Sequence, residues 1–106
     1  MAKAFFVVRA TISDASQRAA FDRWYHDEHL PQALEAFGAE KGWRFWSETE
    51  PAVHQATYRF ADRAALDRGV NSAAMKTLIA DFDRAWPGIP RTREVLALAE
   101  QRDGVA

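Results

Sequence analysis

The stretch Phe21-Asp22-Arg23-Trp24-Tyr25-His26-Asp27-Glu28-His29-Leu30-Pro31 gathers two histidines, the Trp24-Tyr25 pair and three carboxylates within eleven residues. An imidazole has an unperturbed pKa of about 6.5, so a histidine held beside an apolar pocket is suited to moving protons at neutral pH. His29 follows Tyr25 by one helical turn at the edge of the apolar face, and is the candidate acid or base. The same placement also serves stability alone, because an imidazolium at a helix C-terminus is favoured by the partial negative charge there. His26 stands four residues after Asp22 and is expected to face solvent in a surface pair with it. Two imidazoles three apart do not make the His-Glu-x-x-His pattern, so no metal is expected. His54 opens a later strand, from which it could approach the pocket.

Trp24, Tyr25, Trp43, Phe45 and Tyr58 are the rings that could line a cavity for a flat organic ligand. Rings at core spacing also simply fill a core. Glu28 shares the apolar face of an ideal helix with Phe21 and Trp24, which is unusual for a carboxylate, and it joins these rings as a candidate substrate contact. Buried, its pKa would rise and it would be a second acid or base; paired with Arg44, Arg59 or Arg93, it would be structural, and the ion pair is the expectation. There is no glycine-rich phosphate loop, nucleophile-elbow serine or dinucleotide fingerprint, and no cofactor is expected.

These residues need a scaffold, and 106 residues suit one domain spanning 1–106. Hydrophobic residues make up 48%, with 4 Trp and 7 Phe, enough for a core. Lys and Arg total 14 against 15 Asp and Glu, and their scatter argues against nucleic acid. The absence of cysteine removes disulfides, thiolate nucleophiles and cysteine-based metal sites. The apolar start Ala4 to Val8 is too short for a signal-peptide core and is cut by Arg9, so a cytoplasmic protein is expected, with no membrane span.

The run Phe5 to Ile12 reads as a strand, and Ser13 to Ser16 offers helix caps. Gln17, Phe21, Trp24, Tyr25 and Glu28 then share one helical face. Leu30 falls opposite, and Pro31 is expected to break the helix there and begin a new one over Leu30, Ala33, Leu34 and Phe37, ended by Gly38. Gly42 to Ser47 and Val53 to Phe60 read as neighbouring strands. Asp62 caps a second helical region that runs through Met75, Leu78, Ile79, Phe82 and Trp86, with an interruption near Gly69-Val70-Asn71. Arg93 to Ala99 completes the order as a last strand. The result is βαββαβ, an α+β ferredoxin-like antiparallel sheet with both helices on one face. The first and last strands carry apolar residues at both parities, so both sheet faces read as substantially apolar. A homodimer through the uncovered sheet faces is therefore expected.

With that architecture, the Trp-Tyr, Glu-His and Leu-Pro elements of Phe21 to Pro31 resemble the first helix of the dimeric α/β-barrel proteins, the EthD-like branch in particular. Pro90-Arg91-Thr92-Arg93-Glu94-Val95 resembles the opening of that group's last strand. The resemblance implies two ferredoxin-like subunits joined through their sheets, a small-molecule pocket between sheet and helices, and a functional role for the histidine before Leu-Pro, His29. Relatives include cofactor-independent monooxygenases, muconolactone-type isomerases, polyketide cyclases and haem-degrading enzymes, among which fold does not choose. The implied function is a cofactor-independent isomerase, cyclase or monooxygenase acting on an aromatic or lactone-like metabolite, with His29 as acid/base. The alternative is a binding or dimerisation module whose interior has collapsed, with Trp24 packed on Trp86. A haem-degrading variant would use a histidine as axial ligand.

Overall fold

β-Branched and aromatic residues make β1 (Ala4–Thr11) the central strand of a computed structural model that describes residues 2–105. It pairs antiparallel with β3 (Val53–Phe60) on one side and β4 (Arg91–Ala97) on the other, and β2 (Lys41–Trp46) pairs with β3. The strand order is β2-β3-β1-β4, the ferredoxin-like arrangement. Phe6 stands opposite Tyr58 and Val95, and Ala10 opposite His54 and Arg91. Because cross-strand partners share a face, this register lays Tyr58, His54, Arg91 and Arg93 on the side the helices cover.

The first crossover opens with Asp14, whose carboxylate accepts from the Ser16 amide at 3.0 Å and caps a short 3-10 turn, Ala15–Gln17. It continues through α1 (Arg18–Trp24), a π-helical turn (Tyr25–His29) and α2 (Leu30–Phe37), and ends at Gly38, whose φ of 68° suits a residue without Cβ. Here the expectation of a helix junction at Leu30 is corrected. Leu30 keeps right-handed helical geometry, and its amide reaches the Tyr25 carbonyl five residues back. Pro31 cannot donate to the ladder, and the chain absorbs that loss as a wider turn rather than a break. The wider turn also rotates the side chains that follow. His29 swings into the interior, and Glu28, expected on the apolar face, is exposed.

In the second crossover, Asp62 accepts from the Ala65 amide at 2.8 Å to start α3 (Arg63–Val70), and Ser72 caps α4 (Ala73–Ala85). The interruption near residues 69–71 is therefore real, and Gly69 has a packing reason. A Cβ at Gly69 would stand 2.6 Å from the Phe37 carbonyl oxygen, so only glycine lets α3 approach the end of α2 this closely.

Phe6, Phe21, Tyr25, Phe37, Tyr58, Phe60, Leu66 and Phe82 form the core between sheet and helices. The opposite sheet face is mixed, which corrects the expectation of a broad apolar surface. Phe5, Val7, Trp43, Phe45 and Leu96 alternate there with polar neighbours. Arg9 donates to Gln55 at 2.9 Å, and Lys41 and Arg59 lie 5.4 and 5.8 Å from the centre of the Trp43 ring. Leu98 and Ala99 lie beyond β4, although the Leu98 amide still donates to the Lys3 carbonyl at 2.9 Å. Among the described residues no helix is long and apolar enough to cross a membrane.

Candidate functional site

Three elements converge on one point beneath the sheet. The π turn supplies Tyr25 and His29, β3 supplies Tyr58, and α4 supplies Phe82. They enclose a cavity of about 30 Å³, walled also by Phe6, Val8 and Ile79 and, from β4, by Arg91 and Arg93. That volume holds little more than one or two waters.

His29 is only 7% exposed. Its ring stacks on Trp24 at 4.6 Å with planes 19° apart, and meets Tyr25 at 4.8 Å nearly edge-on. Burial, with a further contribution from the Arg91 guanidinium, pushes its pKa down to about 4, so the imidazole is neutral at pH 7. The helix-end reading, an imidazolium held by the C-terminal partial charge, is thereby corrected: the ring is uncharged and the helix continues past it. Its Nδ1 is buried without a hydrogen-bond partner, and the indole Nε1 of Trp86 is in the same position. Leaving such an atom unmet costs about 1–3 kcal/mol, so its persistence calls for an explanation.

The phenols of Tyr25 and Tyr58 are hydrogen-bond partners. Burial is the main cause that raises the pKa of both; their proximity adds to the rise at Tyr58 and partly offsets it at Tyr25.

On the other side of Tyr25, His54 is 1% exposed and lies 4.6 Å from the Tyr25 ring. Arg44 Nε donates to His54 Nε2 at 3.2 Å, which leaves the His54 proton on Nδ1. Burial first and the Arg44 charge second lower the pKa of His54 to about 4. Arg44 also pairs with Asp22, which accepts from Trp46 Nε1 at 2.8 Å and is held below the usual carboxylate range mainly by that bond. The expected Asp22–His26 pair is therefore replaced: Asp22 belongs to Arg44 and Trp46, and His26 is exposed. The ion pair expected for Glu28 is also corrected. Arg44 is committed to Asp22 and Arg59 to Glu40, while Glu28 sits on the outer surface near Trp24, Gln32 and Arg84.

Of the residues singled out in the sequence, the structure brings His29, Trp24, Tyr25 and Tyr58 together. Trp43 and Phe45 lie across the sheet from the cavity, because strand alternation sends them to the face opposite Arg44 and Trp46. The sequence marks Arg91 only as part of a strand opening, and Arg93 also as a possible partner of Glu28. Their spacing of two on an edge strand, in step with Val95, was the signal that both face the helices. Among the described residues no group of three metal-ligating side chains occurs.

No protein-family model matches the chain, and no curated protein does. Solved structures do. A protein of unknown function from Nitrosomonas europaea is 20% identical with a TM-score of 0.66, over 100% of this chain and 98% of that one. An ethyl tert-butyl ether D (EthD) family protein from Bacillus halodurans is 15% identical with a TM-score of 0.62, over 89% and 97%. SnoaB, a cofactor-independent oxygenase from Streptomyces nogalater, is 14% identical with a TM-score of 0.66, over 93% and 95%. The chain shares its ferredoxin-like fold with these structures, the EthD family protein among them.

Proposed function

We propose that this protein is a cofactor-independent enzyme that binds an aromatic or lactone-like metabolite between sheet and helices and moves a proton with His29. The observation that carries the reading is the buried, unpartnered Nδ1 of a neutral imidazole, stacked on Trp24 and set edge-on against the Tyr25 ring. In this reading Nδ1 takes a proton from an acidic C–H or O–H of the ligand, and the resulting enolate or phenolate accepts a hydrogen bond from Tyr25. An anion formed beside His29 favours the imidazolium, offsetting the burial that keeps the empty site neutral. The cofactor-independent oxygenase among the fold neighbours supports chemistry of this type without specifying it.

A panel of polycyclic hydroxyaromatics, with dithranol as the first member, tests the proposal by absorbance change and dioxygen uptake. Turnover that falls about 100-fold in His29→Gln, with the fold intact by circular dichroism, is the expected result. Turnover unchanged in His29→Gln removes His29 from the mechanism.

A second reading has its own observation. Trp24 and Trp86 pack edge to face at 6.2 Å, both against Phe21, and the cavity is small. A non-catalytic scaffold would have this interior, and no member of the panel would then raise the melting temperature. In either reading the uncovered sheet face, where Phe45 is 50% and Leu96 42% exposed, is where a second copy would pack. Light scattering should give twice the 12.0 kDa of the chain; the monomer mass at micromolar concentration would remove the dimer.

A further inference from the structure

The helices leave one flank of the site open. Every residue of β4 after Arg91 is exposed, although Arg91, Arg93 and Val95 all face the helix side of the sheet, opposite Ala10, Val8 and Phe6. The cavity therefore continues outward along β4 into a shelf that carries two guanidinium groups. They are not equivalent. Arg91 lies on the Phe82 ring, its Cζ 3.9 Å from the centroid, and is bonded to Asp83 at 2.5 Å. Among the described residues Arg93 has no acidic partner, and it shares the cavity wall with His29 and Tyr25. No carboxylate lines the cavity. A wall with two guanidiniums, two phenols and no acid presents hydrogen-bond donors and positive charge to whatever enters, against otherwise apolar surroundings.

We infer that the ligand is an aromatic monoanion whose carboxylate, or an equivalent planar oxyanion, is taken by Arg93 and Arg91 at the β4 shelf while its ring enters toward His29. The inference rests on the small-molecule reading above and adds the charge of the ligand and the residues that select it. A planar carboxylate matches the guanidinium fork, and the shelf's partial burial strengthens the pair relative to one in open water. Arg91 has to leave Asp83 to contribute fully, so Asp83 competes with the ligand for the same guanidinium.

Isothermal titration with 1-naphthoate and with its uncharged isostere 1-naphthamide tests this. Naphthoate should bind about tenfold or more tighter than naphthamide, and the advantage should shrink as salt is raised. Arg93→Gln, a change at an exposed position that should not disturb folding, should remove most of that advantage while leaving naphthamide binding in place. Asp83→Asn should act in the opposite direction and tighten naphthoate binding a few-fold by releasing Arg91. Equal binding of the two compounds, or a naphthoate affinity indifferent to both substitutions, overturns the anion assignment and leaves the pocket reading standing. Failure of both compounds to bind or to raise the melting temperature overturns the two together.

Discussion

Two histidines flank Tyr25, both buried and both with a pKa near 4, yet their surroundings differ. His54 is tied into a chain that runs through Arg44 to Asp22 and Trp46, which sets its tautomer and orients its ring. His29 has ring contacts on both sides but an unmatched nitrogen at a cavity. One imidazole has its hydrogen-bonding capacity directed to the scaffold, and the other retains some for a visitor. Burial and acidity alone would rank them equally; the partners tell them apart.

Acid should expose the likeness before the difference. Each histidine has a folded pKa below its unfolded value of about 6.5, so the unfolded chain binds more protons between pH 6.5 and 4. Stability is then complete above about pH 6.5 and is lost progressively as pH falls to about 4, by on the order of 3 kcal/mol for each histidine. Urea midpoints measured across that range should fall steeply, and His29→Gln or His54→Gln should each remove about half of the slope. A flat profile would mean that the two rings are charged, or solvated, in the folded state. Asp22, whose pKa is lowered, contributes instead at the acid end, where stability is lost as pH drops below the ordinary carboxylate range.

Arg44→Met separates the two sites. It leaves His54 Nε2 without its donor and Asp22 with Trp46 alone, and should cost about 2 kcal/mol in denaturant unfolding, whereas His29→Gln breaks no hydrogen bond and should cost about 1 or less. By NMR, Arg44→Met should also raise the titration of His54 more than that of His29, because the Arg44 charge depresses His54. Equal costs would erase the distinction. Tyr58→Phe removes the buried hydroxyl that interacts with the Tyr25 phenol and should destabilise by about 1 kcal/mol, with the ring packing against Phe6 and Phe37 retained. Glu28→Ala and His26→Ala, on the outer side of the same turn, should change stability by less than about 0.5 kcal/mol.

Much of the scaffold was legible because periodicity carries it. Alternation in Phe5 to Ile12 and Val53 to Phe60, the caps Asp14 and Asp62, and the stop Gly38 each follow from local chemistry, and together they imply the βαββαβ order. The reading failed where it assumed an ideal helix. Counting along such a helix puts Glu28 inside and His29 at the rim; the π turn before Pro31 reverses them, and no spacing rule for an α-helix contains that extra residue. The ion pairs were illegible for another reason. Asp22 lies 22 residues from Arg44 and 24 from Trp46 in the chain, and several arginines were equally available to each acid on sequence grounds.

The sequence by itself determined the order of elements, the two caps and the stop at Gly38, the aromatic wealth of the interior and the importance of the Trp24 to Pro31 stretch, since propensity and hydrophobic pattern act over a few neighbouring residues. Tertiary structure alone decided which histidine is satisfied, which arginine is free, and where the acid Glu28 points. Those outcomes depend on the pairing of β2, β3 and β4 and on a turn widened under packing, so they belong to the assembled sheet and helices rather than to any segment of the chain.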